Sequence, residues 1–435
     1  MADASADRPG GPHTAGRTLT SLGSPERTDA PEPSATGARR GRAETTAGRG
    51  SRVPPRSGPP RRTGTWRGAP RWTWFAVAFG TLLVLFSGGV LIGLPAAVNH
   101  YAGDITQDGG LGDAADQGNS IDGPINLLLI GTDERPDAPD NVRADSIIVV
   151  HVNEAHDRAY LASIPRDSLV DIPAFPDTEY PGGQDKINAA FQFGFRSGGG
   201  REKGMELLAD TVSDLAGGMK FDGAAIINFS GLKGVVKALG GVRMCVDEKV
   251  TSIHIGWNVE TGKVGVPYYI NDDGTPAGLR PNMKPQVYYP GCHNFKDWMA
   301  LDYARQRDLL ANNDGDYGRQ RHQQQLIKAI MQKATTGGVL SSPTTISKLL
   351  NSLGNAITFY NNEVSITDWV FTLKGIKPDK LTMLKTNGGK FNAETVDGIW
   401  YEKLSDTSMD MLHAMNNDTV EEFVAANPTW VTPAS

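Results

Sequence analysis

Between Trp72 and Val98 the chain runs WTWFAVAFGTLLVLFSGGVLIGLPAAV, 27 residues without one charged side chain. At about 1.5 Å per residue, roughly 20 helical residues cross the hydrocarbon layer of a bilayer. The run predicts a transmembrane helix over 72–98, with a buried core helix as the rival reading. It is too long for a secretory signal peptide, and 71 residues precede it. Everything on either side must therefore fold, or not fold, in a different aqueous compartment.

Residues 1–71 hold thirteen Arg, no Lys and six acidic side chains, a formal charge of +7, with Leu19, Leu22, Val53 and Trp66 almost the sole large apolar residues. Such a segment cannot bury a core and is predicted to be a disordered tail. Arg61, Arg62, Arg67 and Arg71 flank the helix on one side and Asp104, Asp108, Asp113 and Asp116 on the other. Positive flanks stay inside, so the tail is expected in the cytoplasm and the C-terminal part outside the cell. Trp72, Trp74 and Tyr101 suit interfacial anchors, and the tail either docks on anionic membrane lipid or is simply solvated. Residues 72–435 carry a net −13, which excludes a basic nucleic-acid binder for the folded part, and two cysteines exclude a disulfide scaffold or a four-Cys zinc site. In an oxidising exterior Cys245 and Cys292 are expected to be joined, the alternative being two separate buried thiols.

Residues 99–122 are rich in Gly and Asp and read as a linker. From there to residue 432 a single domain is expected. INLLLI (125–130), SIIVVHV (146–152) and RAYLASI (158–164) predict three buried strands. REKGMELLADTVSDLAG (201–217) places Met205, Leu208, Val212 and Leu215 at helical spacing, and GAAII, GLKGVVKAL and GVRMCV predict strand, helix, strand. Two helices are predicted within 298–334 around the loop DLLANNDGD, with Arg319, Gln323, Leu326 and Ile330 on one stripe of the second. A helix at TISKLLNSL, another at ITDWVFTL, a strand at KLTMLKT and short terminal helices follow. The fold class is α/β, a central mixed or parallel sheet covered by helices.

No GxxxxGK[ST], HExxH or GxSxG motif is present. What recurs is Asp and Arg at element ends. Asp133 follows the first strand and Asp145 opens the second, so both carboxylates fall at one rim of the sheet. Oxygen ligands of this kind suit Mg²⁺, although each Asp also suits a turn. Arg135, Arg143, Arg166, Arg305, Arg307, Arg319 and Arg321 stand at loop junctions in an acidic domain. That placement favours binding of a phosphate over surface salt bridges, because a guanidinium fork matches phosphate oxygens.

With these residues in view, the sequence resembles the LytR-CpsA-Psr (LCP) family of cell-wall glycopolymer ligases. The segments that carry the resemblance, in family order, are NLLLIGTDER (126–135), VRADSIIVVHVN (142–153), LASIPRDSLVDIP (161–173), KINAAFQFG (186–194), NFSGLKGVVKALGGVRMCV (228–246), MALDYARQR (299–307) and GDYGRQRHQQQLIKAI (315–330). The resemblance implies an extracellular, membrane-anchored transferase. It moves a glycopolymer from a polyprenyl-pyrophosphate carrier to peptidoglycan, at the muramic acid 6-hydroxyl, through a phosphodiester. It implies Asp133 and Asp145 as Mg²⁺ ligands and Arg166, Arg305, Arg307, Arg319 and Gln323 as the pyrophosphate clamp, with Asp145, Arg166, Arg305 and Arg307 catalytic. Arg135, Arg143 and Asp316 are secondary members, and Asp316 reads equally well as a helix N-cap. His322 stands where many relatives have Arg. A prenyl channel is expected among Phe191, Phe193, Phe195, Leu207, Leu208, Val235, Val236 and Leu239, which also suit an ordinary core. Two rival functions stand beside it: a non-catalytic membrane regulator that senses polyprenyl lipid and signals inward through the Arg-rich tail, and a polyprenyl pyrophosphatase that uses the same site with water as nucleophile.

Overall fold

The computed structural model describes residues 106–108, 111–116, 121–132, 142–271, 274–336, 357–362, 364, 366–373 and 375–432. The Arg-rich tail, the 72–98 span, most of the linker, Asp133, Arg135 and the TISKLLNSL helix lie outside these residues. Among the described residues no helix is long and apolar enough to cross a membrane.

Seven strands form the central sheet: β1 (Thr106–Asp108), β2 (Ile125–Thr132), β3 (Ala144–Val152), β4 (Ala159–Ile164), β5 (Gly223–Asn228), β6 (Ile357–Tyr360) and β7 (Leu381–Lys385). Their spatial order is β1-β6-β5-β2-β3-β4-β7. The pairs β1–β6, β5–β2 and β4–β7 are parallel, and β6–β5, β2–β3 and β3–β4 antiparallel, so the sheet is mixed. Strands β2, β3 and β4 read as unbroken apolar runs because both of their faces are covered. Period-two alternation sends Leu128, Ile130, Val149 and Ala162 to one face and Leu127, Ile148, Val150 and Leu161 to the other.

The first face packs against α1 (Ile187–Phe195) and α2 (Gly200–Leu215), joined by side chains of α7 (Asp406–Asn416) and α8 (Val420–Ala426). Over the second face lie α3 (Phe229–Ala238), α4 (Asp297–Arg305), α5 (Gly315–Thr336) and α6 (Ile366–Leu373). Phe191, Leu207 and Leu208 are fully buried in the first layer, and Phe193 and Phe195 pack beside it. These aromatic and aliphatic side chains are core, which corrects the channel expected among them. Val236 and Leu239 are likewise buried in a core cluster that includes Tyr303 and Ala304 of α4.

Between α3 and α4 the strands Val242–Val246 and Gly291–Phe295 pair in antiparallel register with Cys245 opposite Cys292. The two cysteines form a disulfide.

Candidate active site

The second face of the sheet is only partly filled by helices. A cavity of about 1200 Å³ remains between β2, β3 and β4 on one side and α5 on the other. Leu127, Leu129, Val150, Leu161, Ile327 and Met331 line its apolar length. Asp145, Arg166, Arg305, Arg307, Arg319 and Gln323 line the same cavity, and of the predicted channel residues only Val235 does.

Each polar member is delivered by a local rule. Asp145 and Ser146 open β3 beside the end of β2, where Gly131 faces Ser146. A Cβ on Gly131 would come within 2.8 Å of the Ser146 Cβ, so this close approach requires glycine. Arg166 sits in the turn that ends β4, closed by Ser168 N donating to Pro165 O at 3.0 Å. Arg305 is the last residue of α4, and Gln306 is extended at φ −73°, ψ 132°. Residues two apart in a continuous helix point about 200° apart, and the break after Arg305 lets Arg305 and Arg307 reach one cavity. Arg319 and Gln323, four apart on α5, share a stripe with Leu326 and Ile330, all four lining it.

The groups are interlocked. Arg166 Nη1 donates to Asp145 Oδ1 at 2.6 Å, and Arg319 Nη2 donates to the Asp145 carbonyl at 2.8 Å. Arg319 Nη2 also lies 2.6 Å from Asp316 Oδ1. Ser146 Oγ donates to Gln323 Oε1, and Gln323 Nε2 reaches Ala304 O at 3.4 Å. Burial opposes the charge of Arg166, but Asp145, Asp316 and Asp167 outweigh it and raise the group above its ordinary value. At Arg319, whose side chain is 8 % exposed, burial dominates and lowers it. Arg319 Nε is buried without a hydrogen-bond partner among the described residues, and Arg166 Nε meets Asp167 Oδ2 at 3.6 Å, beyond hydrogen-bond length. Buried guanidinium N–H groups with unmet hydrogen-bonding capacity, beside an apolar cavity, suit an anion with several oxygens.

Asp316 lies in the first turn of α5 and is bound to Arg319 and, through Oδ2, to Gln320 Nε2 at 2.9 Å. It anchors the arginine, and the N-cap reading does not hold. Arg143 is exposed and donates to Gln192 Oε1 at 2.9 Å, outside the cavity lining. Arg321 is two residues from Arg319, hence on another side of α5, and binds Asp247, Glu248 and Asp314. It is a structural cation, not a member of the anion site. His322 is fully buried, its ring 4.1 Å from that of Tyr303 and Nε2 3.5 Å from Glu248, and burial lowers its pKa.

The sequence reading missed Gln306. This residue is 0 % exposed, and its side chain accepts from Ile253 N at 3.0 Å and donates to Asp302 O and Oδ1 at 2.8 and 2.9 Å. Asp302 in turn accepts from Ser252 Oγ and Tyr288 OH at 2.8 and 2.7 Å, and burial pushes its carboxyl up to about 6. Gln306 thus pins the chain inward between the two arginines. Its one signal was position, a neutral polar residue between two cations.

For a metal, the described residues contain no group of three or more His, Cys, Asp or Glu. Mg²⁺ commonly takes one or two carboxylates and completes its shell with phosphate oxygens and water. Asp145, a hard oxygen donor beside the buried guanidinium groups, fits that donor set.

The sequence profile of the LytR_cpsA_psr family matches residues 97–418. The polyisoprenyl-teichoic acid–peptidoglycan teichoic acid transferase TagU of Oceanobacillus iheyensis is 26 % identical over 347 residues, 78 % of this chain and 92 % of that protein. The probable cell wall biosynthesis protein LcpB of Corynebacterium glutamicum is 32 % identical over 243 residues, 53 % of this chain and 47 % of the relative. Among solved structures, protein gbs0355 from Streptococcus agalactiae aligns at 24 % identity and a TM-score of 0.49, covering 69 % of this chain and 88 % of that one.

Proposed function

The chain belongs to the LytR-CpsA-Psr family, and from that premise we propose that it is a transferase moving a glycopolymer from a polyprenyl-pyrophosphate carrier to peptidoglycan. The muramic acid 6-hydroxyl is the acceptor and the product is a phosphodiester. The observation that carries this reading is one cavity with two characters, four guanidinium groups with the carboxylates Asp145 and Asp308 in its polar part and aliphatic walls along the rest. A prenyl pyrophosphate has the same division.

Arg166, Arg305, Arg307 and Arg319 bind the pyrophosphate oxygens and offset the negative charge that an incoming hydroxyl oxygen meets. Asp145 and Asp316 hold two of those arginines in place. The acceptor oxygen forms a bond to the phosphorus that carries the glycan, the bond from that phosphorus to the bridging oxygen breaks, and prenyl phosphate leaves. Of the two carboxylates that line the cavity, Asp145 and Asp308, Asp145 lies against Arg166 and Arg319 and takes the hydroxyl proton. Asp145, with Asp133 as the sequence predicts, would hold Mg²⁺, which would supply further charge neutralisation. The chain is anchored by 72–98 with this domain outside the cell.

Incubation of the full chain with a lipid-linked saccharide, peptidoglycan oligomers and Mg²⁺, followed by mass analysis, tests the proposal. A new phosphodiester product that disappears in EDTA is expected. Release of a glycosyl phosphate alone identifies a pyrophosphatase, no product at all favours a regulator, and full transfer in EDTA refutes the metal.

A further inference from the structure

Outside the cavity stands a hairpin of Ala393–Val396 paired antiparallel with Ile399–Glu402. It turns large side chains to solvent: Trp400 is 40 % and Phe391, just before it, 49 % exposed. Their ring centroids are 6.3 Å apart, and Phe391 packs edge-on against Tyr317 at 5.3 Å.

This surface is fastened to both walls of the polar end of the cavity. Glu402 is 1 % exposed, and its Oε1 accepts from Tyr317 OH at 2.6 Å, Asn387 Nδ2 at 2.7 Å and Asn392 N at 2.9 Å. Its backbone N donates to Asp167 O at 2.9 Å. Tyr317 lies two residues before Arg319, and Asp167 directly follows Arg166. On its other side Phe391 covers Gly315, at φ +51°, where a Cβ would lie 2.9 Å from Phe391 Cζ and 4.0 Å from the Arg307 carbonyl oxygen. The hairpin is therefore fastened to the backbone that carries these arginines, the turn after β4, the segment at Arg307 and the first turn of α5, and its rings do not line the cavity.

Buried hydrogen bonds at Glu402 hold the hairpin rigid, while collapse of the two rings into a core would have removed them from water. Exposed apolar surface with polar surroundings marks an interaction site. An indole face suits the axial C–H bonds of a pyranose ring, which are weakly positive against the negative ring face. Lys186 Nζ lies 5.8 Å from the Trp400 ring, and Lys390 adjoins Phe391 and is exposed. Lys186 Nζ is itself held by Asp167 Oδ1 at 2.9 Å, which leaves the exposed Lys390 ammonium as the donor toward saccharide oxygens.

We propose that Trp400 and Phe391 form a saccharide subsite for the glycan strand of the acceptor, a refinement that rests on the transfer reading given above. In-line displacement sets the direction: the incoming hydroxyl arrives opposite the departing prenyl phosphate. The prenyl chain takes the apolar interior, so the acceptor reaches the arginines from the outer side, where the hairpin stands.

The test uses the full chain in lipid nanodiscs and two probes, a soluble tetrasaccharide of alternating N-acetylglucosamine and N-acetylmuramic acid, and geranylgeranyl pyrophosphate. Trp400→Ala is expected to weaken tetrasaccharide binding about tenfold and raise KM for peptidoglycan oligomers, with kcat and geranylgeranyl pyrophosphate binding within about twofold of the parent. Trp400→Tyr restores most of the loss. Arg305→Ala in parallel is expected to lose the pyrophosphate and keep the tetrasaccharide. If Trp400→Ala and Phe391→Ala melt like the parent and bind the tetrasaccharide equally well, the subsite is refuted. It is also refuted if Trp400→Ala weakens a lipid-linked saccharide and not the tetrasaccharide, which assigns the rings to the donor. Unchanged pyrophosphate binding in Arg305→Ala instead refutes the underlying transfer site, a separate readout.

Discussion

Replacing Gln306 by Met keeps the buried volume and removes every hydrogen bond that pins the chain between Arg305 and Arg307. The Ile253 N–H loses its acceptor in a buried setting, which costs about 1–3 kcal/mol, and Asp302 and Ser252 lose a donor worth about 1 kcal/mol more. The expected loss of stability is therefore about 2–4 kcal/mol. Its pH dependence is fixed by Asp302, which burial raises to about 6 against the lowering hydrogen bonds of Tyr288, Ser252 and Gln306 and the charge of Arg305. A carboxyl raised in the fold contributes stability that is fully present below its unfolded value of 3.8 and lost as pH rises through about 6. Without Gln306 the carboxyl rises further, so more stability is lost and at higher pH. The gap between parent and variant stays level below pH 6 and widens above it. Urea denaturation of the full chain in detergent, followed by tryptophan fluorescence at pH 5 and pH 8, reads both effects. A gap under about 0.5 kcal/mol, or one that is the same at both pH values, refutes the role given to Gln306.

Arg305→Ala and Arg307→Ala should each weaken binding of a soluble prenyl pyrophosphate at least about tenfold in a direct titration, since charged hydrogen bonds contribute about 1.5–3 kcal/mol each. Lys at either position should rescue poorly, because an ammonium lacks the planar fork. The disulfide joins residues 47 apart, and on the chain-entropy model its loss in the Cys245→Ser, Cys292→Ser double variant should cost about 4 kcal/mol in chemical denaturation. Non-reducing peptide mapping of the parent should show the linked pair.

The three strands β2, β3 and β4 were legible because a strand covered on both faces must be apolar throughout, and α5 because its stripe repeats at the helical period. The segments between Val250 and Phe295 were not legible. Their strands Pro276–Leu279 and Met283–Tyr288 are largely exposed or half-buried, so neither alternation nor a continuous apolar run marks them. The aromatic hairpin of 393–402 was hidden for the same reason, and the sequence reading placed only short helices near the end. Phe191, Leu207 and Leu208 looked like channel or core equally well, since an apolar side chain carries no sign of which face of a sheet it will meet.

Site membership was decided by direction more than by residue type. Helical period separates Arg319 from Arg321, and a helix end reunites Arg305 with Arg307, both consequences that spacing can express. Asp145 is different. Along β3, Ile147 and Val149 face the α1 and α2 layer while Ile148 and Val150 face the cavity side, so strict alternation assigns Asp145 to the first face. It nevertheless lines the cavity. The β2–β3 ladder pairs Gly131 with Ser146 and Thr132 with Ala144, a register shift that skips Asp145 and leaves it without an opposite partner. An unpaired residue at such a shift is released from the pleat, and local twist re-aims its side chain. The carboxylate that engages Arg166 thus owes its position to a one-residue departure from the regular ladder. Composition shows that an Asp is there, and only the pairing of the neighbouring strand shows where it points.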